Sequence, residues 1–508
     1  MADAALRAVE RRDDRHLRSA WLSAFYGPRD SHADHGCRPR VSDRSRRAGA
    51  CGELGGQSMS TAVHSARARR WARWFASALL WVVVISTASN SAGSDEPAVV
   101  LPNATQMTAL PFIALPRFFD TRANSGVAIH EIDDPALLDA VRDAGFSFVR
   151  TDLFWDSVET PRGWDFSRYD ALVANLRARR LGALFILGYG HPRYAPKQPP
   201  TSPAQIDAFA EYATQAARHY RDQPVRFEVW NEQDHKDYWL ASPSPAAYRN
   251  LLEATVRAVK AANPDAVVAT GGVQQVDMTF IRAVGDIGST SQPAPDAVSV
   301  HPYRQNAPET ALGDYAALAR DLATYRTVPA IWATEWSYPT YAYKYVSHTR
   351  DGHDPVARER QARYAVRRLL VDWIAQIGLT AYYDMRNDGR DPKNMEHNFG
   401  LLDADNTPLP AYVAVRHLFS FTANARAARL FLDPVRRFAV LQLRAEGVVK
   451  YVVWCYGNDK AVDVDLSQLP VAGTFASDLY GASLDITGRR LTLREEQGPV
   501  FIVSATGR

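Results

Sequence analysis

Between residues 126 and 421 a strand-like run and a helix-like run follow one another eight times. The strand signals are Gly126–His130, Phe146–Arg150, Leu181–Leu187, Phe227–Trp230, Ala266–Thr270, Ala297–His301, Ala330–Thr334 and Leu379–Tyr383. Helix signals fill the gaps. Asp134-Pro135 opens the first, with proline at the first helical position. The others are Tyr169–Arg180, Pro203–Tyr220, Tyr248–Ala262, Met278–Val284, Thr310–Tyr325, Asp354–Ile377 and Pro410–Phe421. Regular alternation of this kind implies parallel βα units. Eight units over about 300 residues fit an α/β chain closed into a (β/α)8 TIM barrel. A doubly wound open sheet is the rival, but no Gly-rich phosphate fingerprint follows the first strand signal.

Two of these runs end in a glutamate. Phe227-Glu228-Val229-Trp230-Asn231-Glu232 is one, and Ala330-Ile331-Trp332-Ala333-Thr334-Glu335 is the other. Strand alternation puts Glu228, Trp230 and Glu232 on one face, with Phe227 and Val229 on the opposite face. Barrel enzymes work at the C-terminal strand ends, where Glu232 and Glu335 stand. Two carboxylates at one barrel mouth are the equipment of glycoside hydrolysis. On this reading Glu232 is the acid/base and Glu335 the nucleophile: an ionised Glu335 keeps its partner protonated until the sugar esterifies it. A structural ion pair is the alternative for a lone strand-end glutamate; a pair in aromatic surroundings favours chemistry.

Supporting groups follow from the same alternation. Phe148 and Arg150 share the interior face of the second strand, and Arg150 is placed to hold Glu335 ionised. Ser299, His301 and Tyr303 share a face of the sixth strand, with Tyr303 placed to donate to Glu335. Asn231 is a candidate for the sugar 2-hydroxyl. Glu228 lies deeper and reads as the buried partner of an interior base. His191, in the Gly/Pro-rich loop after the third strand, is either a sugar contact or a plain loop histidine. Trp155, Trp239, Trp336 and Tyr338 are candidate stacking platforms, about half of which should touch substrate. His348, His353 and His397 lie near carboxylates without a metal-ligand spacing such as HExxH, so no metal is expected. No G-x-S-x-G occurs, which argues against a serine hydrolase triad.

These residues resemble the clan A glycoside hydrolases, in which the acid/base follows Asn at the end of strand four and the nucleophile ends strand seven. Phe227–Glu232 followed by Trp239 is similar to glycoside hydrolase family 39, as are Ala333-Thr-Glu-Trp336, Val300-His-Pro-Tyr303 and Arg150. The resemblance covers about residues 125–425 and implies retention of configuration and no cofactor. Asn387-Asp-Gly389 and Glu396-His-Asn-Phe-Gly400 resemble secreted bacterial members that cut exopolysaccharide internally. Two positions depart from the pattern. Residue 233 is Gln where members often have Pro, and the eighth strand ends in Tyr382-Tyr383-Asp384 rather than a tryptophan. The expected partner is therefore an oligo- or polysaccharide. An exo-acting β-xylosidase is the same-chemistry alternative, and a non-catalytic carbohydrate-binding barrel the alternative of another class.

Outside the barrel the chain changes character. Residues 1–88 carry 15 Lys/Arg against 8 Asp/Glu, and the remainder 44 against 48. The basic balance thus belongs to the leader, and the rest shows no nucleic-acid signature. Within the leader, Arg67, Arg69, Arg70 and Arg73 precede an apolar run, Phe75–Thr87, and then small residues. That order reads as a secretory signal, so a secreted or periplasmic protein is expected. An uncleaved N-terminal anchor is the alternative, although the run falls short of the ~20 apolar residues a spanning helix needs. Residues 1–58 read as disordered, or as sequence upstream of a start at Met59. Residues 89–120 form a connector that can add a strand to the C-terminal module, and residues 121–425 the barrel. Short alternating runs across residues 426–508 read as a small antiparallel β-sandwich module. Beyond Cys37 and Cys51 only Cys455 remains, so no disulfide framework is possible in the folded part.

Overall fold

The computed structural model describes residues 98–102, 113–115, 123–239, 242–289, 292–342, 351–425, 427–457 and 460–505. Residues 1–88, on which the expected export signal falls, and His348 lie outside them. Among the described residues no helix is long and apolar enough to cross a membrane.

Eight parallel strands close into a barrel: β1 (Ser125–Ala128), β2 (Phe148–Phe154), β3 (Gly182–Gly188), β4 (Val225–Asn231), β5 (Val267–Gln274), β6 (Ala297–His301), β7 (Ala330–Trp336) and β8 (Leu379–Tyr382). The ring shuts where β8 pairs with β1, Thr380 opposite Ser125. A helix follows each strand: α1 (Pro135–Ala144), α2 (Ser167–Ala178), α3 (Pro203–His219), α4 (Pro245–Ala262), α5 (Met278–Val284), α6 (Ala311–Leu322), α7 (Pro355–Ile374) and α8 (Pro410–Thr422). Local chemistry sets their starts. Asp134 accepts from the Ala136 and Leu137 amides, and Ser202 forms a reciprocal capping box with Gln205. Five of the eight helices place proline in the first turn, where its missing N–H costs nothing.

The barrel interior is layered. Phe148, Leu184, Ala269, Ala297, Trp332, Leu379 and Ala381 make an apolar plug. Large and small side chains alternate around it, so the ring is packed shut. Above the plug lies a polar layer of Arg150, Glu228, Ser299 and Thr334, all buried. Because the plug closes the lower end, the polar layer has access to solvent only through the C-terminal mouth.

Past α8 the chain forms β9 (Ala427–Asp433), β10 (Phe438–Ala445), β11 (Val448–Cys455), β12 (Val462–Asp465), β13 (Thr474–Ser477), β14 (Ser483–Leu484), β15 (Arg490–Leu493) and β16 (Val500–Ala505). Seven strands, including the upstream pair Ile113–Ala114, make an antiparallel sheet, and Val99–Val100 with β12 and β15 makes a second sheet of three. Their inner faces share one core, including Leu101, Val464 and Leu466 from the smaller sheet and Phe438, Tyr451 and Ile502 from the larger. Segments preceding the barrel thus complete the module that follows it.

The module is bonded to the barrel by buried charge. Arg367 on α7 donates to both oxygens of Glu309, at 2.9 and 2.6 Å, and to Glu495 of the module at 2.7 Å. The Trp454 indole of β11 donates to Glu309 at 2.9 Å.

Candidate active site

Arg150 is the hub of the barrel mouth. It rises from β2 through the plug and is 3% exposed. Its Nε donates to Glu228 at 2.9 Å, Nη1 to Glu335 at 2.6 Å, and Nη2 to the Asn231 side-chain oxygen at 2.8 Å. Ser299 and Thr334 hydroxyls donate to the other Glu228 oxygen at 2.7 and 2.8 Å. Glu228 is therefore fully committed as the buried counter-ion that fixes the guanidinium. Burial opposes the Arg150 charge, and Glu228 and Glu335 more than offset it, so its pKa stands above the ordinary value.

Glu335 ends β7 and is 14% exposed. It receives Arg150 on one oxygen and the Tyr303 hydroxyl on the other, at 3.0 Å. Burial pushes its carboxyl up, but His301, Arg150 and Tyr303 outweigh that and hold it below its ordinary value. Glu232 ends β4. Its Oε1 meets His301 Nδ1 at 2.9 Å, and Gln274 donates to its Oε2 at 2.9 Å. The other ring nitrogen, Nε2, faces Arg150 Nη2 at 3.2 Å. His301 Nδ1 is placed to donate to Glu232. Burial opposes the imidazolium charge, but the Glu335 and Glu232 carboxylates outweigh that cost and raise the imidazole pKa. One oxygen each of Glu232 and Glu335, with a ring nitrogen of His301, lie within 4.8 Å of one another.

The end of β4 is bent to achieve this. Trp230 and Glu232 both have positive φ, 72° and 46°, a left-handed conformation uncommon for such residues. The sequence alternation, which put Trp230 on the face of Glu228 and Glu232, fails here. The twist sends the Trp230 ring against Phe209 of α3 and against Trp239, and turns Asn231 inward instead. Neighbouring β5 accommodates the bend because it carries two glycines. A Cβ on Gly271 would stand 2.5 Å from the Val229 carbonyl, and one on Gly272 would stand 2.1 Å from His301 Nε2.

Residues 116–342 match the family model described as cellulase (glycosyl hydrolase family 5). The chain carries a clan A glycoside hydrolase domain. In fold it is similar to a family 39 glycoside hydrolase from the gut symbiont Bacteroides cellulosilyticus WH2, at 24% identity and TM-score 0.62, covering 77% of this chain and 83% of that one. It is also similar to a monomeric beta-xylosidase from Caulobacter crescentus CB15, at 18% identity and TM-score 0.57, over 77% and 97% of the two chains. A family 39 enzyme from Xanthomonas axonopodis pv. citri gives 16% identity and TM-score 0.56, over 77% and 96%. No curated protein matches the chain by sequence.

For a glycosidase mouth, the structure brings together Glu232, Glu335, Arg150, Asn231, His301 and Tyr303. It does not bring in the expected stacking platforms. Trp155, Trp239, Trp336 and Tyr338 are at most 2% exposed. Trp155 is stacked between Tyr194 and Tyr212, Trp239 packs on Tyr248, and Trp336 donates to Thr380 beneath Arg368. Each is a wedge between barrel and helices, because helix-facing positions offer the apolar area these rings need. His191 is likewise spent on its own loop, accepting from the Arg193 amide at 3.1 Å and meeting the Glu159 carbonyl at 3.1 Å.

The aromatic rim that reaches solvent is different. Phe154 and Tyr238 are each 40% exposed, and with Tyr189 they line a depression of about 440 Å³. Tyr303, Arg304, Gln305 and Asn306 line another of about 420 Å³. On the Glu335 side of the mouth, His130 after β1, Asp152 on β2 and Asp384 after β8 form an arc that the sequence reading missed. His130 Nδ1 lies 2.7 Å from Asp388 and 4.0 Å from Asp384. The Asp388 hydrogen bond raises the imidazole to about 9 against the cost of burial. Burial, with Glu335 adding to it, pushes Asp152 up to about 6. Asp384 is raised well above the ordinary range by burial, with Asp388, Glu396 and Glu131 adding to it. Asp152 was legible in principle: it stands two residues past Arg150 on the same strand face.

Proposed function

We propose that the protein is an exported, retaining endo-glycosidase acting on a bacterial exopolysaccharide, with Glu335 as nucleophile and Glu232 as acid/base. The single observation that carries the mechanism is the closeness of the two carboxylates, oxygen to oxygen within 4.8 Å. Retaining enzymes hold their carboxyl groups about 5–5.5 Å apart, whereas inverting ones leave about 6.5–9.5 Å for a water.

The surrounding bonds suit each role. Glu335 is held ionised by Arg150 and Tyr303, so it can attack the anomeric carbon while Glu232 protonates the departing oxygen. The C–O bond to the leaving group breaks as the ester to Glu335 forms. Esterification removes the Glu335 charge, and Glu232, now ionised, takes a proton from water as that water cleaves the ester. Asn231 has its oxygen fixed by Arg150, which frees its amide nitrogen to donate to the sugar 2-hydroxyl. Phe154 and Tyr238 are the exposed rings on which sugar units would stack, with the half-buried Tyr189 between them and the barrel.

Internal cleavage is favoured by a rim that stays open on two loop groups, after β3/β4 and after β5/β6. Export rests on the leader, whose charged, apolar and small-residue segments keep the order of a secretory signal. Exo-acting β-xylosidase activity is the second reading, favoured by the fold shared with the Caulobacter enzyme.

The test is to assay the protein and its Glu335→Gln variant on a panel of bacterial and plant polysaccharides and on aryl glycosides. Hydrolysis should vanish in the variant while its circular dichroism is unchanged. The first-formed sugar, followed by NMR, should keep the anomeric configuration of the substrate; an inverted first product rejects the mechanism. Polymer size should collapse early in the reaction, and steady release of monosaccharide from an intact polymer would favour the exo reading.

A further inference from the structure

We propose that the polysaccharide this enzyme takes carries free amino groups, and that the acidic wall beside Glu335 seats the ammonium of one sugar unit. This rests on the glycosidase reading above and specifies its substrate class.

The wall spans three adjacent strand ends, β8, β1 and β2, next to β7 and its Glu335. It presents Asp384, Asp388, Asp152 and Glu396, with His130 among them. The decisive member is Asp384. It is 2% exposed, yet its Oδ1 has no hydrogen-bond partner. Its Oδ2 is directed at the cluster, 4.0 Å from His130 Nδ1. His130 is already engaged with Asp388 at 2.7 Å. Asp152 also has an oxygen without a partner, and Glu396 accepts from the Tyr383 hydroxyl at 3.1 Å.

A buried carboxyl without donors is costly to ionise, so Asp384 stays protonated until a ligand brings positive charge to it. The nearby arginines cannot supply it. Arg150 is committed to Glu228 and Glu335, Arg386 to Glu131 and Asp134, and Arg390 to Asp405. A single imidazole therefore faces Asp388, Asp152 and Glu396, with the protonated Asp384 behind them. Hydroxyl groups of a neutral sugar would satisfy hydrogen bonds but leave the charge uncompensated. A uronic acid would add to it. The ammonium of an unacetylated amino sugar satisfies both demands, with three donors and one positive charge. Tyr383 borders the wall, its ring 5.6 Å from that of His130.

The experiment is isothermal titration of the full protein, as its Glu335→Gln form to prevent turnover, with amino-sugar oligosaccharides of gluco, galacto and manno configuration. Each is compared with the same sample after chemical N-acetylation and with uronic-acid oligosaccharides. For at least one configuration the free-amine form should bind at least about tenfold tighter than its acetylated form. Adding Asp384→Asn or Asp152→Asn, with folding verified by thermal melting, should collapse that ratio toward one. Equal or tighter binding of the acetylated or uronic forms in every configuration overturns the proposal. So does a ratio that survives both Asn changes, or a stoichiometric metal ion found on the purified protein that Asp384→Asn removes. Aryl-glycoside turnover by the unmodified enzyme is measured alongside. Binding of oligosaccharides with no hydrolysis of any polysaccharide or glycoside by the unmodified enzyme would sink the glycosidase reading, whereas turnover without amine preference would sink only this one.

Discussion

The Tyr303 hydroxyl donates to Glu335 at 3.0 Å, on the carboxylate oxygen that Arg150 leaves free. The two bonds come from different parts of the ring, Tyr303 just after β6 and Arg150 on β2, and both favour the ionised carboxylate. The acid limb of kcat/KM should therefore report a Glu335 that ionises below its ordinary range, with activity rising as pH rises through it. Tyr303→Phe removes one stabilising donor, so that limb should move to higher pH. At its optimum the variant should lose about 10- to 100-fold in kcat/KM, the worth of one hydrogen bond to a charged group. A pH profile of aryl-glycoside hydrolysis checks both; a limb that moves to lower pH would contradict the assignment.

Gly272 is the floor on which His301 rests. A methyl group there would stand 2.1 Å from Nε2, so Gly272→Ala must push the ring away from Arg150 and Glu232. Overpacking of this kind costs about 1–3 kcal/mol of stability. The larger effect should be catalytic, because small misplacements of reacting groups cost about 100-fold. Measuring kcat/KM beside the denaturant midpoint separates the two.

Asp152 should weaken the fold in the pH range where the enzyme works. Its folded pKa, about 6, lies above the ordinary aspartate value, so the folded state favours the protonated form. Its stabilising contribution is complete below the unfolded pKa and is lost as pH rises through the folded one. Asp152→Asn should thus melt at nearly the same temperature as the parent near pH 4 and progressively higher from there to about pH 6, with the gap constant above. Thermal melts across that range would show it; a gap that closes as pH rises would refute the buried-carboxylate reading.

Arg367 ties the barrel to the β-sandwich through Glu309, and both are buried, at 0% and 6% exposure. Arg367→Ala leaves the Glu309 carboxylate buried without its cation. The expected cost is about 3–5 kcal/mol, read from urea unfolding. Since Trp454 of the sandwich also donates to Glu309, its fluorescence should change in the same transition.

What the sequence by itself determined was the repeating unit and the chemistry at its ends. Eightfold βα alternation dictated a closed parallel barrel, since the period of apolar residues and the helix-start residues are local properties of the chain. The same alternation, with the clan A resemblance, carried Arg150, Asn231, Glu232, His301, Tyr303 and Glu335 to one mouth. The aromatic assignments failed because exposure is not local: tryptophan at a strand end is equally suited to a groove or to the gap under a helix, and only the packed helices decide which. Trp230 left the interior face through a backbone twist that two glycines on another strand make possible, 41 and 42 positions later in the chain. The acidic arc of His130, Asp152, Asp384 and Asp388 was likewise settled by ring closure, which sets the first strand beside the eighth. Charges separated by more than 250 residues meet there, and no spacing along the chain could announce it.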